Sequence, residues 1–428
     1  MRYGETLYVL NALWYCKRSM TDARRWTIVC LLSLGMIIAY VDRSNLSVAL
    51  ADKSFVKEFA LSDQDRGRLS SWFFLSYAFL QIPAGFVVDR YGVKFPYALS
   101  FAFWSIVSAA TGFVSAIWQL VGLRVLLGIG EAVVTPASLR WIRFNVPEQR
   151  RGLAVGLYMA GTKAGPAIGA PLAAYLIYHY QWRAMFAILG IGCLVWLIPW
   201  LTLVKNNDRE LEAQQAKSSG AAAMPLKVLL STRLMWGIII GTFCYNYFVF
   251  FCMTWLPAYF AESRGMTLTK SGVFTGFSFG GMATVATLAG WVADKMIQRG
   301  ADSVRTRKLF TIAGFAVAST ELIGAMSDSQ TVAMTFAIIS LSGLGLATAN
   351  YWALTQTLMP GAAIGKISGV QNMASNLAGF VAPYFTGWLK ETTGSYLAPM
   401  YAVGVLLLVG IGAYTWMVEA KYAPKTAG

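Results

Sequence analysis

Twelve stretches of this chain are each long and apolar enough to cross a lipid bilayer, and no other feature constrains its fold as tightly. A membrane helix needs about 20 mostly apolar residues. Runs of that kind lie at roughly 27–50, 70–89, 96–116, 117–141, 152–178, 182–204, 235–260, 271–294, 307–326, 331–357, 366–389 and 397–418. The longest polar interruption, "KNNDRELEAQQAKSSGAAAMPLK" (205–227), falls between the sixth and seventh runs and divides them six and six. The expected architecture is an all-α polytopic membrane protein with 12 transmembrane helices in two six-helix halves. Its parts are a cytoplasmic segment (1–26), a six-helix bundle (27–204), a cytoplasmic linker (205–234), a second bundle (235–418) and a cytoplasmic tail (419–428). Composition agrees: 57% of the residues are hydrophobic and 13% charged, where a soluble domain is about half apolar and about a quarter charged.

The formal net charge of +15 would suggest acidic partners or nucleic acid in a soluble protein. Here the placement of Lys and Arg reads as topology, because basic loops stay cytoplasmic. With both termini inside, 24 basic residues fall in cytoplasmic segments, eight in outer loops and three (Arg43, Arg124, Lys163) within spans. No nucleic-acid partner is expected. The N-terminal stretch "LYVLNALWYC" is followed by Lys17 and Arg18 and lacks a small-residue cleavage site, so it fits poorly with a signal peptide. "MTDARRW" reads like an ordinary basic cytoplasmic start, which leaves Met20 as an alternative first residue.

Several chemistries drop out. Five scattered cysteines and the single histidine, His179, show no metal-ligand spacing and support no nucleophile–base set, so neither a metal, a cofactor nor an enzymatic activity is expected. No GxxxxGK[ST] loop is present to hold a nucleotide for an ATP-driven pump. The halves resemble each other instead. "GFVVDRYGVK" (85–94) ends the second span and "GWVADKMIQRG" (290–300) the eighth; Gly85 and Gly290, Asp89 and Asp294, Arg90 and Lys295 are each 205 residues apart. A duplicated six-span unit is the build of an alternating-access carrier.

The pattern Gly-x-x-x-Asp-Arg-x-Gly-x-Lys after the second span resembles the signature loop of the major facilitator superfamily. "VDRSN", "SYAFLQIPAG", "GLRVLLGIGEAVVTPA", "VPEQRRG", "TWLPAYFAESRGMTL" and "GVQNMASNLAGFVAPYFTGWLKETTGSY" resemble its anion:cation symporter branch, which includes bacterial sugar-acid permeases. The resemblance spans residues from about 24 to 420. It implies an inner-membrane carrier, monomeric, that takes up a small organic anion.

Asp42 and Arg43 stand more than half way along the first span, where a charge costs about 2.5–3.5 kcal/mol on insertion scales. The fourth span carries Arg124 and Glu131; seven residues apart is two turns, so both share one helix face to within about 20°. Helix rise puts Asp42 roughly 22 Å, Arg124 about 25 Å and Glu131 about 15 Å from the cytoplasmic ends of their spans. Asp42, Arg43 and Arg124 therefore share a level in the outer half, with Glu131 nearer the cytoplasm. A guanidinium offers a fixed fork of donors suited to a carboxylate, and Asp42 and Glu131 can take up protons. The resemblance implies the same division: Asp42 and Glu131 couple protons, and Arg43 and Arg124 bind substrate. It also implies cavity positions for Tyr40, Tyr77, Trp352 and Asn372.

The fifth span has Thr162 where galactonate-type carriers tend to have an amide, followed by Lys163. The lysine either adds a second anion contact, favouring a dicarboxylate or aromatic acid, or snorkels to water or pairs with an acid. Gly161, Gly165, Pro166, Gly169 and Pro171 read as a close helix contact with a local bend. Asp89, Arg90, Asp294 and Lys295, at cytoplasmic span ends, are expected to gate through breakable pairs between the halves. The function expected is proton-coupled uptake of an organic anion, a carboxylate such as an aldonate, aldarate or hexuronate. Exchange or uniport, or an aromatic or small monocarboxylate as cargo, is the alternative, and a non-transporting sensor the distant one.

Overall fold

The computed structural model describes residues 21–205, 226–359 and 364–423. Met20, most of the linker and the last five residues of the tail lie outside the described residues. The N-terminal helices are α1 (Asp22–Ala49), α2 (Lys53–Glu58), α3 (Asp63–Tyr91), α4 (Lys94–Ala110), α5 (Ile117–Glu131), α6 (Val134–Asn145), α7 (Glu148–Cys193) and α8 (Leu197–Leu203). The C-terminal helices are α9 (Leu226–Leu230), α10 (Arg233–Ala258), α11 (Leu268–Gln298), α12 (Ser303–Ala318), α13 (Glu321–Met326), α14 (Gln330–Leu358), α15 (Ile364–Thr393) and α16 (Leu397–Trp416).

Among the described residues, nine helical stretches are long and apolar enough to cross a membrane. One of them, Arg150–Leu203, has 54 residues, far more than one crossing requires. Its backbone leaves the helix at Gln181 (φ 66°, ψ 164°), and the chain reverses there. Ser33 Oγ donates to the Leu157 carbonyl (2.7 Å) on the first arm, and Trp196 Nε1 donates to the Leu31 carbonyl (2.9 Å) on the second. Farther along, Arg24 Nε reaches the Leu203 carbonyl at 3.0 Å, so the second arm returns along α1. The run expected at 96–116 forms the 17-residue α4, extended by a single turn at Thr111–Phe113. Helix α15 has length enough at 30 residues, but Gln371, Asn372 and Asn376 lower its hydropathy.

Polar residues at the loop boundaries set the helix starts. Ser62 and Asp65 form a reciprocal capping box at the start of α3, and Thr21, Thr232, Thr267, Asp302 and Ser329 each cap a first turn. Gly92, in the DRYGVK motif, closes α3 with φ 81°, and Gly300 stands just past α11 with φ 99°; left-handed backbone of this kind favours glycine. Within the N-terminal set, α1 packs along α7 and α3 along α5. Between the sets, α3 packs on α15, α7 on α11 and α1 on α10. Many large apolar side chains point outward, Phe79, Ile82 and Phe86 of α3 and Leu99 of α4 among them, as a lipid-facing surface requires.

Candidate functional site

Small residues bring the charged helices together. Gly161, Gly165 and Gly169 lie on one face of α7 against α1. A Cβ on Gly165 would fall 2.3 Å from Tyr40 Cβ, and one on Gly169 would fall 2.4 Å from Ser44 Oγ. The glycine stripe expected to serve packing thus sets Tyr40 to Ser44 in place, the small-xxx-small logic of membrane helix contacts. Gly128 does the same for α5, where a Cβ would lie 2.5 Å from the Phe73 carbonyl oxygen of α3. Directly after Glu131 the helix is interrupted at Ala132 and Val133 before α6 begins. Pro136, four residues past Ala132, has no N–H to donate to the Ala132 carbonyl.

Arg43 Nε pairs with Glu131 Oε2 at 2.8 Å, with the two side chains 5% and 0% exposed. Three aromatic rings enclose the guanidinium, with centroids at 4.3 Å (Tyr40), 4.7 Å (Tyr77) and 4.9 Å (Phe73). The Tyr77 hydroxyl in turn lies 3.3 Å from Thr135 Oγ1. Asp42 turns the other way: its Oδ1 accepts from Ser108 Oγ at 2.9 Å and from Asn45 Nδ2 at 3.4 Å. Arg124 is 2% exposed, and its Nη2 donates to Thr111 Oγ1 at 3.3 Å. Among the described residues, no carboxylate lies within ion-pair distance of it.

Among the buried side-chain atoms without a hydrogen-bond partner are one from each of three site residues: Asp42 Oδ2, Glu131 Oε1 and Arg124 Nε. Buried polar groups are normally satisfied; here each acid keeps one unused oxygen and the arginine one unused donor. Arg43 and Arg124 also share the wall of a cavity of about 20 Å³, with Ser47, Ser70, Met253 and Thr254 among its other lining residues. That volume suits about one water molecule. The cavity joins the sets, since Met253 and Thr254 belong to α10.

The remaining expected residues scatter around this centre. The Thr162 hydroxyl is occupied by the Met159 carbonyl at 2.8 Å. Lys163 Nζ lies 5.7 Å from the ring centroid of Tyr245 on α10. Trp352 is half-buried, its ring tilted against that of Tyr351 with centroids 5.5 Å apart. Asn372 donates to Gln81 Oε1 across the sets, Asn376 reaching the same oxygen at 3.5 Å; Gln81, one turn from Tyr77, was not singled out from sequence. Counting helix rise also set Glu131 below Arg43. The long arginine side chain closes that gap and makes Arg43, not Arg124, the partner of Glu131.

The expected gating residues form pairs inside their own sets. Asp89 pairs with Arg140, and Asp294 pairs with Arg307 at 2.9 Å, each within its own set. Arg90 lies over Tyr91 (5.6 Å) and Lys295 over Trp291 (4.2 Å). Among the described residues, none of the four expected gating residues pairs with the opposite set in this conformation. The pairs that do cross stand at the other end of the helices. Arg66 of α3 bonds Asp63 (2.8 Å) and Glu262 (2.7 Å), and Lys390 of α15 bonds the same two acids at 2.7 Å and 2.6 Å. The Tyr396 hydroxyl donates to Glu262 at 2.9 Å, and the Gln64 backbone N–H donates to Glu391 at 2.7 Å. These charges lie beside apolar runs, and sequence reading counts them as loop residues.

The Major Facilitator Superfamily pattern matches residues 32–383. The chain belongs to the major facilitator superfamily. It is therefore a multi-pass membrane transporter and not an enzyme. Over 407 residues it is 30% identical to the "Probable L-galactonate transporter" of Escherichia coli (strain K12), covering 92% of this chain and 89% of that protein. Over 428 residues it is 27% identical to the "Probable galactarate/D-glucarate transporter GarP" of the same strain, covering 92% and 94%. A bacterial homolog of the human lysosomal transporter Spinster, in its inward-facing and occupied conformation, superposes with a TM-score of 0.78 at 16% identity. That match covers 96% of this chain and all of the other. The two folds thus superpose over 96% of this chain.

Proposed function

We propose that this transporter takes up an organic anion together with protons by alternating access, and that its cargo is a carboxylate of the sugar-acid class. The carrying observation is Arg124: a buried guanidinium with an unused Nε, no carboxylate in ion-pair distance, and a place on the wall of a cavity between the sets. A buried cation with no carboxylate in ion-pair contact is costly, and a substrate carboxylate supplies that contact. Relatives named for L-galactonate and for galactarate/D-glucarate support the same class.

Asp42 and Glu131 couple the proton. Glu131 holds Arg43 while ionised; a proton on its unused oxygen removes the charge that holds the pair, and the Arg43 fork becomes available to the incoming anion. Release of the anion restores the pair and expels the proton. In this reading Tyr40, Tyr77, Trp352 and Asn372 line the substrate path. The chain spans the cell inner membrane twelve times in two halves of six, as a monomer, with both termini and the linker in the cytoplasm. The 205-residue offset supports the duplication, since it relates α3 to α11, and each of these packs on a helix of the opposite set. The cluster of Asp63, Arg66, Glu262 and Lys390 then closes the outer face, and the pairs at Asp89 and Asp294 rearrange as the cytoplasmic face closes.

The test is uptake into liposomes that hold a pH dye, under an inward proton gradient, with galactonate, galactarate and a hexuronate offered in turn. Acidification of the lumen with one of these acids, lost in Asp42→Asn and Glu131→Gln, is the expected result. Uptake without proton movement, unchanged in those variants, would sink the coupling scheme.

A further inference from the structure

We infer that Lys163 is a second anion subsite, and that the cargo carries two negative groups, as an aldarate does. This inference rests on the anion-carrier reading above and deepens it. Lys163 lies between Gly161 and Gly165 along α7 but, two residues from each, about half a turn round the helix from them, on the side turned from α1 toward Tyr245 of the opposite set. Gly161 abuts Met36 and Gly165 abuts Tyr40, which sets Lys163 near the level of Ile38, five residues, or about 8 Å, along α1 from Arg43. Its ammonium lies 5.7 Å from the Tyr245 ring centroid of the opposite set. The Tyr245 hydroxyl is committed to Thr348 Oγ1 at 2.6 Å, and its ring lies against Tyr351 at 4.7 Å. The ammonium therefore meets an aromatic face, not an acid.

The acids that could serve it are engaged elsewhere. Glu131 is paired with Arg43, and Asp42 faces Ser108 and Asn45. Among the described residues, no carboxylate lies within ion-pair distance of Lys163 Nζ. At this depth α1, α5 and α7 together hold three cations (Arg43, Arg124, Lys163) and two acids (Asp42, Glu131). The sum is +1 with both acids ionised and +2 once one of them takes a proton. A dianion brings the proton-loaded site to zero, whereas a monoanion leaves a charge in a medium where an unmatched charge is expensive. One terminal group would meet the arginines and the other would reach Lys163 beside Tyr245, where the two sets meet.

Galactarate and galactonate form a matched pair, differing in one terminal carboxylate, and their uptake ratio in proteoliposomes reads the second subsite alone. The wild type should favour galactarate, Lys163→Gln should lower the galactarate-to-galactonate ratio at least tenfold, and Lys163→Arg should keep it high. If Lys163→Gln inserts but carries neither acid, thermal stabilisation of the purified variant by each acid gives the same ratio from binding. An equal ratio in wild type and Lys163→Gln, or wild-type preference for galactonate, would overturn the inference and leave the carrier reading standing. Uptake of neither acid by the wild type would overturn both.

Discussion

Lys390 reaches from α15 to within 2.7 Å of Asp63 at the start of α3, and so joins two helices 327 positions apart in the chain. The same ammonium holds Glu262, and Arg66 holds both acids again from the other side. Two cations and two anions close a neutral ring across the seam between the sets. Removing one partner of a buried pair leaves an unmatched charge, worth about 3–5 kcal/mol in well-buried cases; the two acids here are partly exposed, which lowers that figure.

Lys390→Ala should therefore loosen the seam at this end without unfolding the protein. With the native cysteines replaced and a reporter cysteine placed at Ser47 on the cavity wall, an impermeant thiol reagent added from outside should label several-fold faster in Lys390→Ala. Equal labelling would show that the ring does not hold the outer face shut.

Glu131→Gln should separate coupling from transport. The amide keeps a hydrogen-bond acceptor for Arg43 but carries no charge and takes up no proton. Uptake driven by a pH gradient is expected to fall at least tenfold, while exchange of labelled for unlabelled substrate across the membrane persists. Loss of both together would assign Glu131 to binding.

Arg124→Lys keeps the charge and discards the planar fork. Replacing paired, charge-assisted donors with a single point charge should weaken substrate affinity by about ten- to a hundredfold, or about 1.4–2.8 kcal/mol. Competition uptake at fixed gradient measures it, and affinity within twofold of wild type would exclude a forked contact.

Gly165→Leu should lower the melting temperature of the purified protein and abolish uptake, because even a Cβ there meets Tyr40 at 2.3 Å. Gly192→Ala provides the contrast. No atom lies within 4 Å of its added Cβ, and alanine is the better helix former by about 1 kcal/mol, so stability should hold or rise. Similar melting temperatures for the two variants would separate the α1–α7 contact from the site.

Much of this was legible in sequence because hydrocarbon makes charge conspicuous. Asp42, Arg43, Arg124 and Glu131 stand out in apolar runs, and the structure gathers all four around adjoining helices. Their pairing was not legible. Depth was counted from span ends uncertain by several residues, and an arginine side chain reaches farther than that uncertainty. The reversal at Gln181 falls where two spans were expected to part, but no glycine or proline stands at that residue to mark it. The ring of Asp63, Arg66, Glu262 and Lys390 was missed for the opposite reason. Charges at a span end resemble ordinary loop residues, and only the packing of α3 on α15 reveals that two of them are buried.

The cavity between Arg43 and Arg124 holds room for about one water molecule. A single water cannot form a file, and a proton crosses a membrane interior quickly only along an unbroken chain of hydrogen-bonded groups. A cavity of this size between Arg43 and Arg124 is too small to hold such a chain by itself.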